Sequence, residues 1–124
     1  MSKPIAKWIK TNEKNPRSFN ENLPELKKLF KLNRSGYFGK QGKSKGARNI
    51  ASKDPLATCD LFSGTASQGA VEYMYVKNGI AKRLKDGAVI TSRYKSSSDG
   101  TPAVDINLTH PSEAKKQKIH FIKE

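Results

Sequence analysis

Two dipeptides, Asn78-Gly79 and Asp86-Gly87, constrain this chain more than anything else in it. Each supplies the positive φ that a tight hairpin needs, and each is flanked by residues that alternate apolar with polar. Residues 70–77 (AVEYMYVK) set Val71, Tyr73 and Tyr75 against Glu72, Met74 and Val76. Residues 80–84 follow the first turn and residues 88–95 (AVITSRYK) the second. The turn-rich run SSSDGTP then leads to residues 103–108 (AVDINL), and the loop THPSEAKK leads to residues 118–123 (KIHFIK). Consecutive strands with short connections predict an antiparallel meander over residues 68–124 rather than a parallel sheet with crossovers.

Residues 1–67 have a different period. PIAKWIK spaces Ile5, Trp8 and Ile9 as on one face of a short amphipathic helix. NENLPELKKLFKLN predicts a second helix, with Asn22 as cap, Pro24 in the first turn, Glu25 at the positive end of the dipole, and Leu26, Leu29, Phe30 and Leu32 as the apolar face. DPLATCDLFSG predicts a third, capped by Asp54, burying Leu56, Cys59, Leu61 and Phe62, and stopped by Gly64. Between the last two, residues 33–53 hold no acidic residue but carry Arg34, Lys40, Lys43, Lys45, Arg48 and Lys53 among four glycines. That run is expected to be either a solvated linker or an arm that orders on phosphate, with Tyr37 and Phe38 offering base-stacking platforms. The predicted fold class is α+β: one domain over residues 1–124, its short N-terminal helices (1–67) packed on an antiparallel sheet (68–124). At 124 residues the chain has room for one full core.

Charge narrows the partner. The chain has 24 Lys+Arg against 11 Asp+Glu, a formal net charge of +13, and such self-repulsion favours a polyanion, nucleic acid or an acidic protein. Cys59 is the sole cysteine, so intramolecular disulfides and multi-cysteine metal sites are excluded, and its simplest role is that of a small core residue. No stretch has the apolar core of a signal peptide or the length of a membrane span. The expectation is a soluble chain whose export address, if it is exported, lies on a larger precursor.

Strand alternation then separates a core face from a working face. Val104, Ile106 and Leu108 choose the core, leaving Asp105, Asn107 and Ala103 outward. Ile119 and Phe121 do the same and leave Lys118, His120 and Ile122 opposite. With Ile90 and Tyr94 inward, Val89, Thr91 and Arg93 share the open side. If the last three strands are neighbours, His120, Asp105, Thr91 and Arg93 gather on one surface.

An imidazole among cations on a polar face suits proton transfer, since imidazoles titrate near neutrality. Arg93 is a candidate clamp for a phosphate oxygen and for the extra charge of a pentacoordinate transition state. Thr91 can hydrogen-bond a non-bridging oxygen. Asp105 can fix the imidazole's tautomer or simply pair with a lysine. Lys82, Arg83, Lys85 and Lys118, with Lys43, Lys45 and Arg48 from the basic run, are the candidate phosphate contacts. His110, before Pro111 in a polar loop, reads as loop decoration. The histidines and carboxylates show no metal-ligand spacing, so no cofactor is expected. RNA supplies its own nucleophile in the ribose 2′-hydroxyl, which DNA lacks, so a metal-poor basic site favours RNA.

The order YVKNGIAKRLKDGAVITSRYKSSSDGTPAVDIN…QKIHFIKE, over residues 68–124, resembles the C-terminal toxin domains of bacterial polymorphic toxins, especially those of contact-dependent growth inhibition systems. Within them it is similar to the ribonuclease toxins of the barnase/EndoU/colicin/RelE fold. The resemblance implies helices packed on a twisted antiparallel sheet whose concave face holds Arg93, Asp105 and His120, with Thr91 beside them. It implies cleavage of transfer RNA and neutralisation by an acidic cognate immunity protein, with elongation factor Tu as an accessory partner in some such toxins. It also implies secretion as the C-terminal part of a larger cell-surface protein that acts in the target-cell cytoplasm. Two other readings of the residues stay open: a non-catalytic basic RNA-binding module, and a metal-dependent DNase toxin.

Overall fold

The structure, a computed structural model, describes residues 7–124. Both glycine dipeptides make hairpins. β4 (Glu72–Val76) pairs antiparallel with β5 (Gly79–Arg83), Val76 facing Gly79, and Asn78 carries the positive φ of 60°. Gly79 is needed for a different reason: a Cβ there would run into the carbonyl oxygen of Ser92 on the next strand. That strand, β6 (Val89–Arg93), follows a turn in which Gly87 has φ 90°. β7 (Ala103–Asn107) and β8 (Gln117–Lys123) complete the antiparallel series, as predicted.

The N-terminal half contributes β1 (Ile9–Lys10), α1 (Phe19–Leu29), β2 (Lys40–Gln41), β3 (Ala47–Ser52) and α2 (Pro55–Ala66). Among the described residues eight strands form one sheet, in the order β1-β4-β5-β6-β7-β8-β3-β2. The architecture is α+β, with two helices on one side of a mostly antiparallel sheet. α2 packs across β3, β6, β7 and β8, and α1 packs on α2. The core fills the space between: Ile90, Val104, Ile106, Ile119 and Phe121 point up from the sheet to meet Leu26, Cys59 and Phe62. Phe62 sits among the rings of Phe30, Phe38 and Phe121 at 5.0, 5.1 and 5.7 Å, and such pairs contribute ~0.5–1.5 kcal/mol each beyond area burial.

Several expectations are corrected. Of the proposed first helix, residues 4–6 lie outside the described residues, while Ile9 and Lys10 form an edge strand opposite Tyr73 and Glu72. So short a segment is marginal as a helix by itself, and a waiting strand edge captures it. In α1 the cap is Ser18, not Asn22: Ser18 and Glu21 make a reciprocal capping box. Asn22 is buried in the helix, donating to the carbonyls of Ala66 and Gln68 and so tying α1 to the end of α2. Pro24 consequently falls inside the helix rather than in its first turn, and Leu29 is exposed. In α2, Asp54 does cap, and Cys59 and Phe62 are buried as expected, but Leu56 and Leu61 face solvent, and Gly64 is passed before the helix ends at Ala66. Tyr94, expected inward, is exposed, because the core beneath β6 ends before it.

The largest correction concerns residues 33–53. This run is neither linker nor arm. β3 pairs parallel with β8 along its whole length, Ala47 opposite Lys118 through Ser52 opposite Lys123, so the sheet is not a pure meander. Phe38 is fully buried, and Arg48, 5% exposed, donates to the carbonyls of Phe38, Gly39 and Lys45 while lying 5.0 Å from the Tyr37 ring. Basic composition hid the segment's role because a buried guanidinium that satisfies backbone carbonyls is structural. Among the described residues, no helix is long and apolar enough to cross a membrane.

Candidate active site

With the helices on one face, the other face of the sheet is left open. β6, β7 and β8 are neighbours, and their registers place Thr91 beside Asp105 beside Lys118. The next row runs Arg93, Ala103, His120, with Asn49 of β3 beyond. Side chains alternate along a strand, so the burial of Ile90, Val104, Ile106, Ile119 and Phe121 puts all of these on the opposite side. Arg93 and His120 therefore share a face, two strands and about 10 Å apart at the backbone. Ala103 between them keeps the intervening position low.

Local hydrogen bonds decide what His120 can do. Its Nδ1 lies 2.8 Å from Thr101 Oγ1 and 3.2 Å from Asp99 Oδ1. Thr101 Oγ1 in turn donates to Asp99 Oδ1 at 2.7 Å, which also accepts from Ser96 Oγ and the Thr101 backbone N–H. A hydroxyl has one hydrogen, and here the carboxylate takes it, so Thr101 Oγ1 must accept from Nδ1–H. That fixes the tautomer: in the neutral ring the lone pair is on Nε2. Nε2 makes no hydrogen bond among the described residues, and none of their buried side-chain nitrogens or oxygens is unpartnered, so Nε2 keeps contact with solvent although the side chain is only 12% exposed. Burial opposes the charge on Asp99, but hydrogen bonds from the Thr101 hydroxyl and N–H and from Ser96, with the nearby imidazole, outweigh it and hold the carboxyl well below the usual carboxylate range.

Asp105 has a different partner from the one foreseen. It accepts from Arg93 Nη1 at 3.2 Å and makes no bond to the imidazole. The carboxylate that orients the imidazole is Asp99, which in the sequence is simply one residue of the turn-rich run SSSDGTP. Asp-Gly-Thr was the available signal: Gly100 takes φ 77°, which brings the hydroxyl and N–H of Thr101 back onto the aspartate. Thr91, half-buried on the open face, makes no side-chain hydrogen bond among the described residues.

A cleft of about 550 Å³ runs over this surface, lined among others by Thr91, Arg93, Asp105, Asn107, Lys116 and Lys118. His120 stands just past its end, beyond Ala103, and does not line it. Of the expected phosphate contacts, Lys118 belongs here, and Lys43 and Lys45 are exposed on the β2–β3 loop whose last residue, Gly46, reaches the cleft. The others do not. Lys82 lies opposite buried Ile90 and so points to the helix side. Arg83 is on the open face but is held by Glu72 at 2.8 Å and stacked 4.2 Å over the Trp8 ring. Lys85 is paired with Glu21 at 2.9 Å. Arg48 is buried in the fold, as described. Phe38 is unavailable for stacking and Tyr37 is covered by that guanidinium. His110 is exposed in its loop, 3.0 Å from Thr109 Oγ1. Among the described residues, no three His, Cys, Asp or Glu side chains are close enough to share a metal ion.

No family model matches the chain, and neither a curated protein nor a solved structure does.

Proposed function

We propose that the chain is a toxic endoribonuclease that cleaves transfer RNA without a metal ion. The observation that carries this reading is the chain from His120 Nδ1 through Thr101 to Asp99, which leaves Nε2 as the proton acceptor on the face that carries Arg93, Thr91 and Lys118. His120 Nε2 takes the proton of a ribose 2′-hydroxyl. O2′ attacks the adjacent phosphorus, Arg93 and Lys118 stabilise the charge of the pentacoordinate species, and Thr91 donates to a non-bridging oxygen. The P–O5′ bond breaks, O5′ takes up a proton from water, and the products are a 2′,3′-cyclic phosphate and a 5′-hydroxyl. In the toxin reading the domain is delivered by a larger secreted protein into the target-cell cytoplasm and is silenced by an acidic immunity protein that covers this basic face.

A non-catalytic RNA-binding module is the competing reading, favoured by the position of His120 beyond the end of the cleft. The two separate on incubation of the purified chain with total transfer RNA in EDTA, with and without extract that supplies elongation factor Tu. Fragments ending in cyclic phosphate are expected, and His120→Ala should lose about 10²–10⁴-fold in cleavage while binding is kept. Intact RNA in every arm would overturn the nuclease. Cleavage abolished by EDTA would point to a metal-dependent enzyme instead.

A further inference from the structure

Beside the cleft lies a second concavity of about 550 Å³, between the β4–β5 turn and the loop after β6. Lys77, Arg93, Lys95 and Lys118 surround it together with Ser96 and Ser97, and among the described residues no carboxylate lines it. Lys77 and Lys95 are exposed, and none of the three lysines makes an ion pair among the described residues. Arg93 gives only Nη1 to Asp105. Asp99, the one carboxylate in the loop, is turned onto Ser96, Thr101 and His120 and does not neutralise the bay. Three lysines without ion pairs, held around one concavity beside an arginine only partly offset by Asp105, repel each other, a cost that an anionic ligand removes. Arg93 and Lys118 line both the bay and the cleft, so a polyanion lying in one continues into the other.

Resting on the nuclease reading for the identity of the strand, the geometry points to this bay as a subsite for a neighbouring phosphate of single-stranded RNA, contacted by Lys77 and Lys95 and flanked by exposed Ser97. The subsite confers a preference for substrates longer than one linkage. Its contacts go to backbone phosphate, so it sets the position of the strand and reads no base.

The test is the double variant Lys77→Ala/Lys95→Ala, with Lys14→Ala/Lys28→Ala as an equal charge loss from exposed positions on and before α1. Binding to a single-stranded oligoribonucleotide is measured against salt, and cleavage is compared on that oligonucleotide and on a dinucleoside monophosphate, which has one phosphate. The subsite requires the slope of log K against log salt to become shallower by about 1.4, from ~0.7 per lost contact on a single strand. It requires KM for the oligonucleotide to rise several-fold with kcat kept and the dinucleotide unchanged, and the control pair to leave the slope where it was. An unchanged slope overturns the subsite even if cleavage is intact, as it would if an acidic protein were the bay's real ligand. Equal losses on both substrates overturn it too, because the lysines would then act at the scissile linkage. A parent chain that cuts neither substrate removes the nuclease reading, while the binding arm still decides the bay.

Discussion

Arg48 is the sharpest test of the division between structural and functional charge. In Arg48→Met the aliphatic stem remains and three bonds are lost: Nε to Phe38 O at 2.8 Å, Nη2 to Gly39 O at 2.8 Å and Nη1 to Lys45 O at 3.1 Å. The Phe38 carbonyl is buried, and leaving it unpaired costs about 1–3 kcal/mol. The other two are half-open, so water replaces part of each bond, and they add about 0.5–1 kcal/mol apiece. Relief of the guanidinium's own desolvation offsets some of the sum. The expected loss is about 2–4 kcal/mol, read as a lower urea midpoint at constant m and a fall in Tm of about 8–16 °C for a domain of this length. Arg48→Lys should rescue little, since one ammonium cannot reproduce a planar donor set. A stability change below about 0.5 kcal/mol together with weakened RNA binding would refute this account and return Arg48 to the phosphate-contact role its sequence context suggested.

Three further outcomes follow from local chemistry. Asp99→Asn and Thr101→Val should each lower kcat by at least about tenfold, short of the ~10²–10⁴ assigned to His120, with KM kept, and Thr101→Ser should restore activity; equal kinetics in all three would remove the relay. Glu21, held by its bond from Lys85 and by Ser18, has its carboxyl lowered from 4.5 to about 2, so its contribution to stability is full above about pH 4.5 and is lost as pH falls towards 2; in urea titrations Glu21→Gln should flatten that acid limb, and an identical limb would contradict it. Burial pushes the Cys59 thiol up to about 12, so the native protein should react with a thiol reagent only at its unfolding rate; prompt labelling would mean the α2–sheet interface opens.

The strands were legible because alternation and two turn dipeptides both act over a few residues. Val104, Ile106, Ile119 and Phe121 fall inward as their pattern says, and that alone placed Arg93, Thr91, Asp105 and His120 together. What failed depends on distant partners. β3 is a strand because β8 offers an edge, and nothing within ARNIAS announces a parallel neighbour about seventy residues away. Asn22 and Ser18 both look like caps, and only the carbonyls of Ala66 and Gln68 decide which is buried. Asp99 and Asp105 are alike on paper; the turn at Gly100 gives one to the imidazole, while register gives the other to Arg93.

That exchange of partners carries a consequence for the chemistry. An aspartate on the row of Lys118 and bonded to Arg93 from the next row lowers the net field of the cleft floor, while an aspartate behind His120 fixes its tautomer without entering the substrate's path. Gly79 and Ala103 lie on either side of Arg93, and Ala81 and Ala47 stand at the two ends of the row of Thr91, Asp105 and Lys118. Their effect is a sheet surface with low positions beside the raised cationic ones. A flat apolar face of this extent would call for another layer to cover it; a furrowed, positively charged one can remain open to solvent and to a strand of phosphates. The same pattern that separates core from surface in β6, β7 and β8 therefore also builds the surface on which the proposed reaction takes place.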